Sequence, residues 1–168
     1  QNNSRSMTIL SWIFSFLLLL NPGGTLEKEI VEAPKMKALI IDGQNNHYVW
    51  PKTTMMMKDY LEETGLFEVS VYRMDSVWMG IKYNQSRPEP YTSLRSFIET
   101  YALHDKTYGI SDKPIITSKF SLDFSKYDVV ISNLGASAAL WPVETQKSFE
   151  KYMSNGGGFV VVHAANNA

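Results

Sequence analysis

Short apolar segments separated by polar loops run through most of the chain and predict a β-sheet. Residues Ala38–Ile41 form a continuous apolar run, which suits a strand buried on both faces of a parallel sheet. Three further segments show such a run or the apolar alternation of a strand. The four predicted strands lie at positions 38–41, 67–71, 127–132 and 159–162.

Two of the intervals between these strands carry helical signals. In the first, Thr53 or Thr54 is placed to cap a helix that Gly65 ends. In the second, Pro142 suits the first turn of a helix that Asn155 and the following glycines terminate. The apolar positions predicted to face the sheet are Met57, Tyr60 and Leu61 in the first helix and Phe149, Tyr152 and Met153 in the second.

The segment from Asp75 to Leu122 is longer and less regular than the other connections. Apolar residues at helical spacing predict one helix within it, at Leu94, Phe97, Ile98 and Tyr101. A connection this long inside a domain usually carries function or covers a sheet edge. His104 is expected to end that helix, where an imidazole interacts favourably with the helix dipole.

The elements follow the order strand, helix, strand, insert, strand, helix, strand. This alternation predicts a doubly wound α/β fold, in which right-handed crossovers join the strands of a parallel sheet. The chain ends at Ala168, shortly after a strand that needs a further helix to cover it. We therefore expect residues 37–168 to be the N-terminal part of a C-terminally truncated domain, with an insert at about 75–122.

The N-terminal 24 residues have the pattern of a targeting segment. Residues Ile9–Leu20 form an uncharged apolar run, with Arg5 before it and Asn21-Pro22 after it. The run is shorter than the roughly 20 residues that a membrane-spanning helix needs, so no stable membrane span is expected. It suits a secretory signal peptide, with an uncleaved N-terminal anchor as the alternative. Residues 25–36 then form a linker, and the protein is expected to be exported.

Composition and short motifs exclude several functional classes. The net charge of −1 provides no basic field for nucleic acid, so no nucleic-acid partner is expected. The absence of cysteine removes thiol nucleophiles, thiolate metal sites and disulfides. No G-x-S-x-G motif is present, which argues against a serine-hydrolase elbow in this part of the chain. The glycines at 156–158 precede a strand, whereas a phosphate-binding loop must follow one.

Polar residues gather where the predicted strands end. In open parallel sheets, ligands bind outside the carboxyl ends of the strands. The candidate residues at these ends are Asp42, Asn45, Asn46 and His47 after the first strand, Asn133 after the third, and His163, Asn166 and Asn167 after the fourth. We expect the imidazoles of His47 and His163 to lie on the same sheet edge, at the ends of neighbouring strands.

His47 and His163 are the candidate catalytic pair, with Asp42 as a third group. The imidazoles can bind a divalent metal or transfer a proton near neutral pH. Asp42 could be a third ligand, a base, or the group that orients His47. The alternative is that Asp42 caps a turn and both histidines are packing residues. Trp50 and Trp141 either stack on a sugar ring as substrate-binding residues or pack within the core.

Three segments together resemble the ThuA-like (trehalose-utilisation-like) family. They are KALIIDGQNNH at 37–47, FSKYDVV at 124–130 and NGGGFVVVHAANN at 155–167. The resemblance implies a flavodoxin-like fold similar to that of class I glutamine amidotransferases. It also implies a role in carbohydrate metabolism, because family members are associated with sugar catabolism and exported versions are common in bacteria that degrade glycans. The long insert departs from the family, in which this connection is usually short.

The resemblance places His163 where the amidotransferases carry their nucleophilic cysteine. Because a histidine cannot act as that thiolate, and the chain has no cysteine, glutamine amidotransferase activity is not expected. The expected function is instead to bind or convert a carbohydrate-derived small molecule, assisted by a divalent metal or by the histidines themselves. The alternative is a non-catalytic carbohydrate-binding accessory module that kept the fold.

Overall fold

A computed structural model of the chain describes residues 33–80, 91–104, 106–116, 119–136 and 138–167. Side chains are described throughout these ranges, except at residues 91–93 and 167. The predicted targeting segment at 1–24 lies outside them, as does the predicted linker apart from its last residues. Within the described ranges, no helix combines the length and the apolar character needed to cross a membrane.

A parallel sheet with helices on both faces forms the described part of the chain. In chain order, the elements are β1 (Met36–Gln44), α1 (Trp50–Glu63), β2 (Phe67–Trp78), α2 (Tyr91–Thr100), β3 (Gly109–Ser111), β4 (Val129–Ser132), α3 (Val143–Ser154) and β5 (Gly158–Val161). The strand order is β3-β2-β1-β4-β5, and each neighbouring pair is parallel. The chain therefore builds outward from β1 to β3 and then returns to build outward through β4 to β5. The predicted doubly wound, flavodoxin-like α/β fold is confirmed.

β1 is the central strand and is buried on both faces, as its apolar run predicts. Ala38 and Ile40 belong to a cluster that also contains residues of α1. Leu39 and Ile41 belong to a second cluster, which contains Tyr152 of α3. Helices thus cover the two faces of the sheet, and the carboxyl end of β1 is fixed at the middle of the sheet edge.

The insert adds a helix and an edge strand to the sheet. β2 continues to Trp78, beyond its predicted end at residue 71, and its last three residues pair with β3. β3 lies on the outer side of β2, so the insert covers a sheet edge, which is one of the two roles expected for it. The predicted helix is confirmed as α2, which ends at Thr100. His104 lies four residues further on, with a positive φ of 52°. The prediction that it ends the helix is therefore wrong.

α1 begins earlier than its threonines predicted. Its N-cap is Val49, and Pro51 lies in the first turn, where the missing N–H and fixed φ of proline suit a helix start. Thr53 and Thr54 lie inside the helix, so the prediction that one of them caps it is wrong. Tyr60, predicted to face the sheet, is 59% exposed, because it lies beside the stripe through Thr54, Met57 and Leu61 that packs against the sheet.

β5 is less buried than its apolar sequence predicted. Phe159, Val160 and Val161 are 37%, 47% and 44% exposed. In the described sheet β5 is an edge strand that pairs with β4 alone, so a fully buried position is not reached. The preceding helix is confirmed as α3, with Pro142 as its N-cap, but Met153, predicted to face the sheet, is 41% exposed.

Candidate functional site

The loop between β1 and α1 is held at the sheet edge by Asn45. This side chain is buried, and its Nδ2 donates to the Asn133 carbonyl oxygen beyond the end of β4, at 3.2 Å. Its Oδ1 accepts from the backbone N–H of His47 at 2.8 Å, which tightens the loop into a turn. The Asn45 N–H donates to the Trp78 carbonyl oxygen at the end of β2, at 3.2 Å. One asparagine thus ties the loop to both neighbouring strands.

Two glycines let this loop pass close to the ends of those strands. A Cβ at Gly80, just after β2, would lie 2.2 Å from the Asn46 carbonyl oxygen. A Cβ at Gly135, after β4, would lie 2.5 Å from Asn46 Oδ1 and 2.6 Å from Asn45 Oδ1. Since real Cβ atoms do not approach other atoms this closely, side chains at these positions would displace the loop. The loop runs between the two glycines and carries His47 across the end of β4.

His47 and His163 are brought together at this edge. Their ring centroids are 4.8 Å apart, with the ring planes at 88° to each other. Both residues are exposed. The prediction that the two imidazoles share one sheet edge is confirmed. The prediction that they follow neighbouring strands is wrong, because β4 lies between β1 and β5 and the loop spans it.

His163 occupies a turn with an uncommon backbone conformation. It follows β5 and begins a short 3-10 helix, with a positive φ of 50°. A residue other than glycine costs about 1–2 kcal/mol in the left-handed region. Residues held in this way cluster at functional sites, where the surrounding structure maintains them. Asn166 lies on the same 3-10 helix and is exposed, so it remains open to a ligand at this edge.

Asp42 is fully buried in an ion pair, whereas both histidines are exposed. Its Oδ2 accepts from Arg73 Nη2 at 2.8 Å and its Oδ1 from Arg73 Nε at 3.0 Å, and both side chains are 0% exposed. Burial raises the pKa of Asp42, and the hydrogen bonds and positive charge of Arg73 oppose that rise. The carboxylate is therefore engaged by the guanidinium. Across the described residues, no group of three or more histidine, aspartate or glutamate side chains is arranged to hold a metal ion.

Both tryptophans make packing contacts in the structure. Trp50 is 1% exposed, and its Nε1 donates to the Trp78 carbonyl oxygen at 3.2 Å. Trp141 packs among three phenylalanines, with ring centroids 5.3 to 5.9 Å apart. Asn133 is buried as well, and its Nδ2 lies 2.9 Å from the hydroxyl of Thr54 in α1. These side chains pack beneath the surface of the sheet edge. Asn46, next to His47 in the sequence, is partly exposed.

Arg73 and Gln44 are structural parts of this edge that the sequence analysis missed. Arg73 continues the inward-facing alternation of Phe67, Val69 and Val71, and a charged side chain on that face requires a buried partner. The alternation was therefore a usable signal for the Asp42–Arg73 pair. Gln44 is fully buried, and its Oε1 accepts from the Ile115 N–H at 2.9 Å. No pattern in the sequence indicates that contact.

Comparison with known proteins supports the fold and the family resemblance. No protein-family model matches the chain, and no curated protein matches it either. A solved structure of a ThuA-like protein from Parabacteroides merdae aligns over 80% of this chain, with 29% sequence identity and a TM-score of 0.54. The resemblance to the ThuA-like family is confirmed. The chain described here spans 34% of the length of that protein.

Proposed function

We propose that this ThuA-like chain is part of an exported protein that acts on a carbohydrate-derived small molecule at the edge carrying His47 and His163. The contact between their two exposed imidazoles carries the proposal. This edge is next to β1 and β4, between which the strand order reverses, and open α/β sheets bind ligands at such a switch point. The family resemblance supplies the substrate class.

Two imidazoles can move a proton at a sugar hydroxyl or carbonyl. A neutral imidazole accepts the proton of a hydroxyl, while a second, protonated imidazole donates one to a carbonyl oxygen. The ring contact of His47 and His163 would allow a small polar ligand to reach both groups at once. In this proposal the two histidines are the catalytic residues. Asn46 and Asn166, the polar residues close to them in the sequence, would bind hydroxyl groups of the ligand.

A non-catalytic carbohydrate-binding accessory module is the second candidate. The engagement of Asp42 by Arg73 favours it, because a third chemical group that catalysis could use is taken up inside the core. Divalent-metal assistance belongs to the catalytic candidate, with His47 and His163 as its protein ligands. Imidazole nitrogens suit zinc and similar ions, and further positions would then be filled by substrate or water.

The central experiment follows the imidazole signals of the full chain by NMR during titration with trehalose, glucose and gluconate. Addition of ligand is expected to shift the Hε1 signals of His47 and His163 and to leave that of His104 unchanged. His163→Asn should weaken binding at least tenfold. Asparagine tolerates the left-handed backbone conformation, so the turn is kept, but the imidazole is lost. His104→Asn is the matched control, because His104 is also exposed and has a φ of 52°. If none of the three sugars perturbs either histidine, the carbohydrate proposal is wrong.

Turnover separates the catalytic from the accessory candidate. The same samples, followed over hours by the sugar ¹H signals, should show conversion in the wild-type chain and none in His163→Asn. Binding with no conversion in the wild type would contradict catalysis and support the accessory module.

Metal content tests metal assistance directly. The wild-type chain should retain a divalent metal that His163→Ala loses and His104→Ala keeps. Metal binding requires unprotonated imidazole nitrogens, so acidification should release the metal. Negligible metal in all three proteins, with sugar binding intact in the wild type, would rule out the metal and leave proton transfer or binding alone.

Export rests on the apolar run Ile9–Leu20. In a bacterial host, the full chain should be recovered outside the cytoplasm, while a chain lacking residues 1–24 should stay inside. Retention of the full chain in the cytoplasm would contradict this part of the proposal.

A further inference from the structure

We propose that Arg73 is a positioning residue that couples the insert to the loop carrying His47, so that the insert controls the geometry of the candidate site. The effect on ligand binding rests on the proposed function. The coupling itself does not, because it is a property of the folded chain.

One guanidinium holds both ends of the histidine loop. Arg73 binds the carboxylate of Asp42, which lies just before the loop. Its guanidinium carbon also lies 4.8 Å from the ring centroid of Trp50, the first residue of α1 after the loop. His47 stands between these two anchors, so a shift of the guanidinium would be transmitted to the loop from both sides.

The same guanidinium also holds the insert. Arg73 Nη1 donates to the carbonyl oxygen of Tyr101, just past the end of α2. The guanidinium carbon lies 5.5 Å from the ring of Tyr108, which is buried immediately before β3. Since the Arg73 side chain is 0% exposed, water cannot easily replace these contacts. The Arg73 guanidinium therefore contacts both the insert and the residues that flank the loop.

Two further contacts join the insert to the loop independently of Arg73. Gln44, the last residue of β1 before the loop, accepts through its Oε1 from the Ile115 N–H at 2.9 Å. The ring of Tyr48, next to His47, contacts the ring of Phe97 in α2, with centroids 5.9 Å apart at 67°. The insert thus contacts the chain before His47 at Gln44, beside it at Tyr48 and, through Arg73, after it at Trp50. An ion pair that only stabilised the core would not connect the insert to all three positions.

Hydrogen exchange of the full chain tests the coupling with Arg73→Lys, which keeps the charge but loses the planar fork. Exchange of the amides at 45–49 and at 97–102 is expected to rise together by about tenfold, with little change at 129–132 in β4. Tyr152→Phe is the control, because it removes hydroxyl contacts to Asp128 and Gly158 on the far side of the sheet. It should raise exchange around α3 and β5 and leave the loop unchanged.

The His47 Hε1 signal supplies a readout that stability alone would not move. Arg73→Lys should shift it, while the His104 signal stays in place. Equal loss of protection in β4, the loop and the insert would mean that the arginine only stabilises the fold, and the coupling would be overturned. Loosening of the insert without the loop would overturn it as well.

Sugar titration separates the two proposals. If Arg73→Lys loosens the loop and weakens gluconate or trehalose binding several-fold, both stand. Loosening of the loop in a chain whose wild type binds no sugar would leave the coupling intact and remove the proposed function. If the wild type binds sugar but the loop is unchanged in Arg73→Lys, the proposed function stands and the coupling is overturned.

Discussion

Removing Arg73 should make the stability of the fold strongly dependent on pH. In Arg73→Met, the carboxylate of Asp42 stays buried without its partner, and breaking a buried pair in this way costs about 3–5 kcal/mol at neutral pH. This is a large share of the roughly 5–15 kcal/mol that stabilises most domains. For a unit of this size, we expect the melting temperature to fall by about 10 °C or more.

The sign of the pH dependence follows from the raised pKa of Asp42. Burial raises this pKa above that of the unfolded chain, so the folded state holds the proton more tightly. The free energy of unfolding therefore falls by about 1.4 kcal/mol per pH unit, from the unfolded pKa near about 3.9 up to the raised folded pKa. Arg73 opposes the rise in the wild type, so its removal extends this window to higher pH. The loss should be small near pH 4 and large at pH 7.

Urea denaturation followed by far-UV circular dichroism at pH 4 and pH 7 measures this effect. Tryptophan fluorescence is less suitable, because the guanidinium lies 4.8 Å from the Trp50 ring and its removal alters the emission. Asp42→Asn combined with Arg73→Met should lose the pH dependence. Lys106→Met is the control, since its ion pair with Asp75 is exposed and such pairs contribute about 0–1 kcal/mol. An equal loss at both pH values would refute the reasoning.

Three further substitutions test close packing at the site and elsewhere in the fold. Gly135→Ala should destabilise the fold by about 1–3 kcal/mol in a thermal melt and displace the loop at Asn46, which an altered nuclear Overhauser contact between the histidine rings would report; a melt and a ring contact identical to wild type would contradict the close approach. Tyr152→Phe should cost about 0.5–1.5 kcal/mol in urea, because its hydroxyl lies 2.7 Å from the Gly158 carbonyl oxygen. Trp141→Ala should cost about 2–3 kcal/mol, less than a fully buried tryptophan, and leave sugar affinity unchanged. A loss of affinity without a loss of stability would instead return Trp141 to the binding site.

The central sheet could be predicted because its sequence fits one environment. The continuous run Ala38–Ile41 needs apolar neighbours on both faces, and only a central parallel strand provides them. The shared edge of the two histidines followed from the same logic, since parallel strands end at one side of a sheet. The contact of the two histidine rings across β4 could not be predicted in this way. It depends on the path of the loop, which is set by its close approach to Gly80 and Gly135.

The buried contacts of Asp42 and Trp50 could not be predicted from local sequence patterns. Both follow or flank a strand end, which is where ligand-binding residues gather. Each nevertheless turns inward to the same guanidinium, which comes from a different strand. A carboxylate at a strand end is equally suited to a substrate and to a buried arginine, so only the inward alternation that ends at Arg73 distinguishes them. The exposure of β5 depends on its neighbours in the sheet rather than on its own residues.

The narrow path of the histidine loop between Gly80 and Gly135 has a consequence for recognising distant relatives. Each glycine stands a fixed short distance past its strand, two residues after Trp78 and three after Ser132. A homologue that carries its histidine across the same gap must keep both positions free of a Cβ, however far the rest of its sequence has diverged. Those two spacings, combined with Asn45, form a search pattern that does not depend on overall identity. A chain with bulky residues at both positions would need a different loop path, and its histidine would not reach the turn after β5.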